Sequence, residues 1–227
     1  LRRRGTAVIG VTGSNGKTTT VRLIEAALGS SSPGRRSVKS FNNHLGVPLT
    51  ILSAREGDRW LACEIGTSGP GEIARLTALA SPEIAVVTSI GRAHIERLGS
   101  VGGVAREKAS ILTSGEPAAL VGIVCAESPE LEPWLTDLEG VVRVGGGKNA
   151  KIRVLNAEPN EAGQTVTLET PIGRRRFAIP FAGAHNAHNA ACAWAVGLAM
   201  AFDADAVEAG LATARGAAMR LEHAEVA

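Results

Sequence analysis

An apolar run, Ala7 to Val11, passes into Gly13-Ser14-Asn15-Gly16-Lys17-Thr18 and then into a helical pattern from Thr19 to Leu28. Strand, glycine loop, Lys-Thr and helix in that order make a phosphate cradle. Glycines let backbone N–H groups turn toward an anion, and the helix N-terminus adds partial positive charge. The lysine can reach terminal phosphates and the threonine hydroxyl can sit on Mg²⁺. One departure stands out. The common Gly-x-x-x-x-Gly-Lys-Ser/Thr spacing wants glycine where this chain has Val11, whereas the shorter Gly13-x-x-Gly16-Lys17-Thr18 form is intact.

A phosphate loop of this kind belongs in a parallel sheet, and the rest of the chain supplies one. Trp60 to Ile65, Ile84 to Val87, Ala118 to Val124 and Val141 to Val144 read as near-continuous apolar strands. Between them lie helical patterns at 72–80, 103–112 and 129–138. That alternation predicts an α/β fold, a mostly parallel sheet with helices on both faces. From 151 to 181 the period changes to three short alternating segments, 152–157, 165–169 and 174–179, which predict a small antiparallel sheet beside the main one. Helices are expected at 186–201 and 203–215, the second capped by Asp203. Gly29 to Arg36 reads as a Ser/Gly/Pro/Arg loop, and Gly145 to Lys148, lacking Ser/Thr and a following helix, as a turn. The segment 220–226 alternates like a strand, and both ends read as cut from a longer protein.

Open parallel sheets bind ligands beyond the carboxyl ends of their strands. Lys17 and Thr18 follow the first strand, Glu64 ends another, and His94 follows a third. Beside a phosphate loop Glu64 reads as a direct or water-bridged Mg²⁺ ligand. A lone histidine is more often structural, and imidazole is an unusual partner for a hard ion. His185 and His188 share a helix face, as do Asn186 and Asn189. A His-x-x-His metal pair lacks an obvious third ligand, and amide side chains can read an adenine edge. Ser68 is not a nucleophile elbow, because Pro70 stands where its last glycine would be.

Composition narrows the partners. A net charge of +2 gives no global field that argues for nucleic acid as a ligand, and scarce aromatics with no tyrosine weaken any base-stacking platform. No apolar stretch is long enough to span a membrane. Three scattered cysteines (Cys63, Cys125, Cys192) read as reduced and buried in a cytoplasmic protein.

The whole pattern resembles the Mur ligases, which add amino acids to the peptidoglycan precursor of the cell wall. Their ATP loop is similar to Gly10-Val11-Thr12-Gly13-Ser14-Asn15-Gly16-Lys17-Thr18-Thr19-Thr20. Agreeing blocks follow in order: Phe41 to Thr50, Glu64-Ile65-Gly66, Val86 to Glu96, and Gly183 to Ala191. The Asn-Asn-x-x-Gly-Val-Pro-Leu-Thr block is most similar to the branch that joins D-Ala-D-Ala to UDP-MurNAc-tripeptide. The resemblance covers nearly all of residues 1–227 and implies the central ATPase domain alone, with the amino-terminal UDP-sugar domain and carboxy-terminal ligase domain elsewhere. It implies ATP and Mg²⁺ as cofactors, a cytoplasmic monomer, and little ligation by this piece by itself.

What the resemblance implies for single residues is specific. Gly13, Ser14, Asn15, Gly16, Lys17, Thr18 and Thr19 would hold the phosphates, and Asn186 and Arg220 the rest of the nucleotide. Thr18, Glu64, His94 and Lys108 would surround the magnesium sites, with Lys108 carbamylated. An ammonium beside Mg²⁺ is repulsive, whereas its CO₂ adduct is an anionic ligand. By itself, a lysine on a helix is by default solvated, and Ser110 replaces the acidic residue relatives often carry two places later. Asn42, Asn43, Thr67 and Ser68 would face the peptide substrate. The competing expectations are a folate polyglutamate or cyanophycin type of ligase, and a P-loop module without ligase activity. The Asn42-Asn43 block argues against the first. No Asp-rich second magnesium motif or Asn-Lys-x-Asp is present to support a kinase or guanine-nucleotide switch.

Overall fold

The computed structural model describes residues 1, 4–38 and 40–215. One nine-stranded sheet forms the spine, in the order β2-β3-β1-β4-β5-β6-β7-β8-β9. The strands are β1 (Ala7–Thr12), β2 (Gly34–Arg36), β3 (Trp60–Glu64), β4 (Ile84–Val87), β5 (Val121–Cys125), β6 (Val141–Gly145), β7 (Ile152–Asn160), β8 (Gly163–Thr170) and β9 (Gly173–Ile179). Neighbours from β2 to β7 pair parallel, and β7-β8-β9 pair antiparallel.

Every residue of β3 and β4 is buried, as strands covered on both faces require. Side chains alternate between two apolar cores. Ile9, Trp60, Ala62, Ile84 and Val86 join one with helices α1 (Lys17–Gly29), α6 (Ala184–Ala199) and α7 (Ala204–Ala212). Val8, Leu61, Cys63, Ala85 and Val87 join the other with α3 (Glu72–Ala80) and α5 (Val101–Thr113). The period-two alternation of the strands thus divides the helices between the faces. Asp203 caps α7, its side chain accepting from Ala206 N at 3.0 Å. A short helix α2 (Gly46–Leu52) and a single turn α4 (Ile95–Leu98) complete the set.

Several expectations are corrected. The 29–36 loop contains a strand, because Gly34 lies against the Trp60 indole where any Cβ would collide. Arg35 and Arg36 pair with Asp58 at 2.8 Å and Glu25 at 2.5 Å. A strand held by glycine contact and ion pairs has no apolar period to read. The helix expected at 129–138 is a 3-10 helix, Pro129–Trp134, since Pro133 has no N–H to continue an α-helix. The antiparallel strands are not a separate sheet: Val144 and Gly145 pair with Ile152 and Arg153 and make them its edge. Cys125 is only half-buried, while Cys63 and Cys192 are buried; all three are free thiols. Among the described residues no helix is long and apolar enough to cross a membrane. The strand expected at 220–226 lies outside the described residues.

Candidate active site

β1 is flanked by β3 and β4, so the chain's order reverses around it and a crevice opens at the carboxyl ends of these strands. The Gly13–Thr18 loop occupies that crevice. Gly13 and Gly16 have φ of 152° and 84°. A Cβ on Gly13 would strike the Thr88 hydroxyl, and one on Gly16 the Asn189 amide. Only glycine fits either place. The residues leaving β4 hold the loop from beside it. Thr88 Oγ1 donates to Asn15 O at 2.5 Å, Ser14 N donates to Ser89 O at 2.9 Å, and Asn15 N donates to Ser89 Oγ at 3.0 Å. Gly91 N donates to Ser14 Oγ at 2.9 Å.

α1 begins at Lys17 with no side-chain cap, leaving its first N–H groups facing the crevice. Lys17 curls back, its Nζ donating to Gly13 O at 2.8 Å. The next residue, Thr18, donates its hydroxyl to Glu64 Oε2 at 2.8 Å. On the other carboxylate oxygen, Asn42 Nδ2 donates to Glu64 Oε1 at 2.8 Å. Glu64 is 1% exposed, and none of the described residues forms an ion pair with it. A buried carboxylate held by two neutral donors and no cation is short of positive charge. Its oxygens and the Thr18 hydroxyl are the hard donors that Mg²⁺ takes, so the residues present fit that ion.

A cavity of about 860 Å³ opens here. The loop, Asn42 and Glu64 line one end, and Cys125, Glu127, Ser128 and Phe181 the other, with Asn186 and Asn189 alongside. Asn186 Nδ2 donates to Ala182 O at 2.7 Å, and its Oδ1 faces Asn189 Nδ2 at 3.4 Å. Glu127 Oε1 accepts from Gly146 N and from Gly147 N at 3.0 Å, which is what the glycine turn after β6 is for. Partial burial opposes ionisation of Glu127. The Cys125 thiol bond, the nearby His188 ring and the two glycine N–H groups outweigh it and hold the carboxyl below its ordinary range. His188 Nε2 lies 3.4 Å from Glu127 Oε2.

Lys108 projects from α5 and is 1% exposed. Desolvation, then the positive charge of Lys17, lower its pKa to about 8 against the opposing pull of Glu107. Glu107 is itself committed, accepting from Gly71 N at 2.7 Å and Ile73 N at 2.9 Å at the start of α3.

Four other expected residues stand apart from this group. His94 is exposed at φ 62°, starting α4, and does not line the cavity. Asn43 Oδ1 accepts from Gly46 N at 2.9 Å and shapes the entry to α2. Thr67 Oγ1 donates to Gly69 O at 2.6 Å, and Ser68 N donates to Glu72 Oε2 at 2.6 Å, so both organise the loop after β3. Among the described residues no three His, Cys, Asp or Glu side chains are grouped to hold a metal. Arg220 lies outside the described residues. Glu127 has no signal in the sequence, whereas Thr88 and Ser89 belong to the block that leaves β4 at the same sheet edge as the loop, and Asn189 shares a helix face with Asn186 as expected.

A doubly covered parallel sheet with this loop and a buried carboxylate beside it defines a P-loop nucleotide-binding domain. The chain belongs to the Mur ligase family, whose middle-domain model matches residues 11–197. It is 35% identical over 222 residues to the UDP-N-acetylmuramoyl-tripeptide–D-alanyl-D-alanine ligase of Bacillus subtilis (strain 168), covering 98% of this chain and 48% of that protein. To the ligase of the same name from Escherichia coli (strain K12) it is 32% identical over 217 residues, covering 94% and 48%. A crystal structure of MurF from Acinetobacter baumannii superposes with a TM-score of 0.89 at 30% identity, covering 97% of this chain and 49% of that one. The chain spans about half the length of the curated relatives it matches.

Proposed function

We propose that this chain is the ATP-binding part of an amide-forming ligase that joins D-Ala-D-Ala to UDP-MurNAc-tripeptide in the cytoplasm. The observation that carries the reading is the Thr18–Glu64 hydrogen bond beside the phosphate loop, on a carboxylate short of positive charge. In the reaction a terminal carboxylate of the nucleotide-linked peptide attacks the γ-phosphorus of ATP, and ADP leaves. The acceptor amine then attacks the acyl carbon of the resulting acyl phosphate, loses a proton, and phosphate leaves.

The loop N–H groups of residues 13–19 cradle the phosphates. Lys17, released from Gly13 O, follows the charge of the transferring phosphoryl group; catalysis of this kind is mainly positioning and electrostatics. Thr18 and Glu64 would hold Mg²⁺, which when bound neutralises phosphate charge. Asn42 fixes the Glu64 carboxylate so that one oxygen stays with its amide. Lys108, as its CO₂ adduct, and His94 would complete the metal surroundings, and Asn186 and Arg220 would bind the remainder of the nucleotide. Asn43, Thr67 and Ser68 would border the peptide.

The test has two stages. This chain should bind Mg-ATP by calorimetry, with affinity lost in Lys17→Ala by several kcal/mol. A full-length protein containing this sequence should release phosphate with UDP-MurNAc-tripeptide and D-Ala-D-Ala, and not with single amino acids. Turnover that survives Lys17→Ala in the full-length protein would remove the role given to that residue.

A further inference from the structure

A second cavity, of about 610 Å³, lies outside the nucleotide site between α3, α4, α5 and the 3-10 helix. Its size is that of a small-molecule pocket. Pro70, Ala74, Leu98 and Ala109 make an apolar floor, and two guanidinium groups, Arg97 and Arg106, stand over it. Arg97 donates to the Ser68 carbonyl at 3.1 Å and meets no carboxylate among the described residues. Arg106 lies over the Trp134 ring, 5.8 Å from its centroid. It forms no hydrogen bond or ion pair with the described residues, so its N–H fork is unused.

The acidic groups at this cavity do not cancel those charges. Glu107, which lines it, spends both oxygens on the N–H groups of Gly71 and Ile73. Glu72, at the start of α3, accepts from Ser68 N, and Glu132 of the 3-10 helix pairs with Arg143 at 2.6 Å. Trp134 is the odd tryptophan of the chain: 41% exposed, where Trp60 and Trp194 are each 1% exposed. An exposed indole under an unpaired guanidinium, above an apolar floor, is a recognition surface rather than core.

We infer that this groove is a second binding site, for a small organic acid or peptide whose carboxylate is taken by Arg106 and Arg97 while its apolar part rests against Trp134 and Leu98. Guanidinium matches a planar carboxylate in two-point fashion, and charge-assisted bonds of that kind are the strong ones. The apolar floor separates this ligand from a bare oxyanion. Occupancy would be felt at the loop after β3, because Arg97 holds Ser68 and Glu107 holds Gly71.

Trp134 supplies the readout, since the other two indoles are sealed from solvent. The chain is titrated with acetyl-Ala-Ala, with the same dipeptide as its C-terminal amide, and with inorganic phosphate, following tryptophan fluorescence and calorimetric heat. The acid should bind and perturb the fluorescence, and the amide should bind roughly tenfold or more weakly. Arg106→Gln and Arg97→Gln should each remove that preference, with circular dichroism and Mg-ATP affinity unchanged, and Trp134→Phe should silence the signal while leaving heat. Equal binding of acid and amide, binding that survives Arg106→Gln, or phosphate binding as tight as the acid would each overturn the assignment.

Discussion

Thr18 and Glu64 are 46 residues apart in sequence, yet the Thr18 hydroxyl donates to Glu64 Oε2 at 2.8 Å. The contact exists because β1 and β3 are parallel neighbours with Val11 opposite Glu64. Parallel register brings both carboxyl ends to one edge, and the phosphate loop then folds over the carboxylate. The buried anion is the element of the site most in need of a cation, and that need gives the first prediction.

Glu64→Gln should abolish the Mg²⁺-dependent part of ATP binding, a loss of roughly a hundredfold, because a neutral amide offers Mg²⁺ no charge. The same change removes a buried, unpaired negative charge from the free protein. Without Mg²⁺ the variant should therefore melt at the same temperature as the parent or higher. Calorimetry with and without Mg²⁺, and thermal unfolding in EDTA, check both halves. Undiminished Mg-ATP binding would dismiss Glu64 as a ligand.

Asn42→Ala should weaken Mg-ATP binding about tenfold without unfolding the chain, since one carboxylate oxygen of Glu64 loses its donor and swings. Asn42→Asp should be worse, placing a second negative charge 2.8 Å from the first where the amide now donates. The ordering parent, Ala, Asp by calorimetry is the outcome to look for; an Asp variant that binds better than Ala would show that the site prefers added charge.

Gly16→Ala should cost about 1–3 kcal/mol of stability and most of the nucleotide affinity, because φ is 84° and the added methyl meets the Asn189 amide. Gly16→Ala with Asn189→Ala relieves the collision but not the backbone strain. Urea unfolding should show the double variant recovering part of the loss, and full recovery would mean that strain contributes nothing.

How far the sequence reaches follows from what each feature rests on. The parallel strands and the loop were legible because both depend on local signals: apolar runs and glycines ahead of Lys17. Glu64 was legible as a carboxylate at a strand end. Its partner Asn42 was readable as polar but assigned to the substrate, since nothing local says that it faces Glu64. β2 was missed because Gly34 works through contact with Trp60, a residue 26 positions away. Glu127 acts on the backbone N–H groups of Gly146 and Gly147, and a tertiary hydrogen bond of that kind leaves no trace in spacing. Lys108 is the sharpest case. A helix lysine is by default solvated, and only the packing of α5 shows it 1% exposed.

Burial of Lys108 makes the last prediction one about pH. Its pKa falls from 10.5 in the unfolded chain to about 8 in the folded one, by desolvation first and the Lys17 charge second. Below about pH 8 both states carry the proton and the folded state bears the full cost of a buried ammonium. Between about 8 and 10.5 the unfolded chain holds more protons, so stability rises with pH through that window. A shift of this size corresponds to roughly 3 kcal/mol as an upper figure. Lys108→Met should therefore stabilise the metal-free chain at pH 7 and flatten the rise between pH 8 and 10. The neutral amine is also the form that attacks CO₂, giving the carbamate and a proton. Carbon-13 bicarbonate should thus produce a carbamate resonance that grows as pH climbs from 7 toward 8 and is absent in Lys108→Met. Urea unfolding across pH and carbon-13 spectra read the two effects separately. A Lys108→Met chain with unchanged pH dependence would refute the depressed pKa, and an unlabelled parent at pH 8 would refute the adduct.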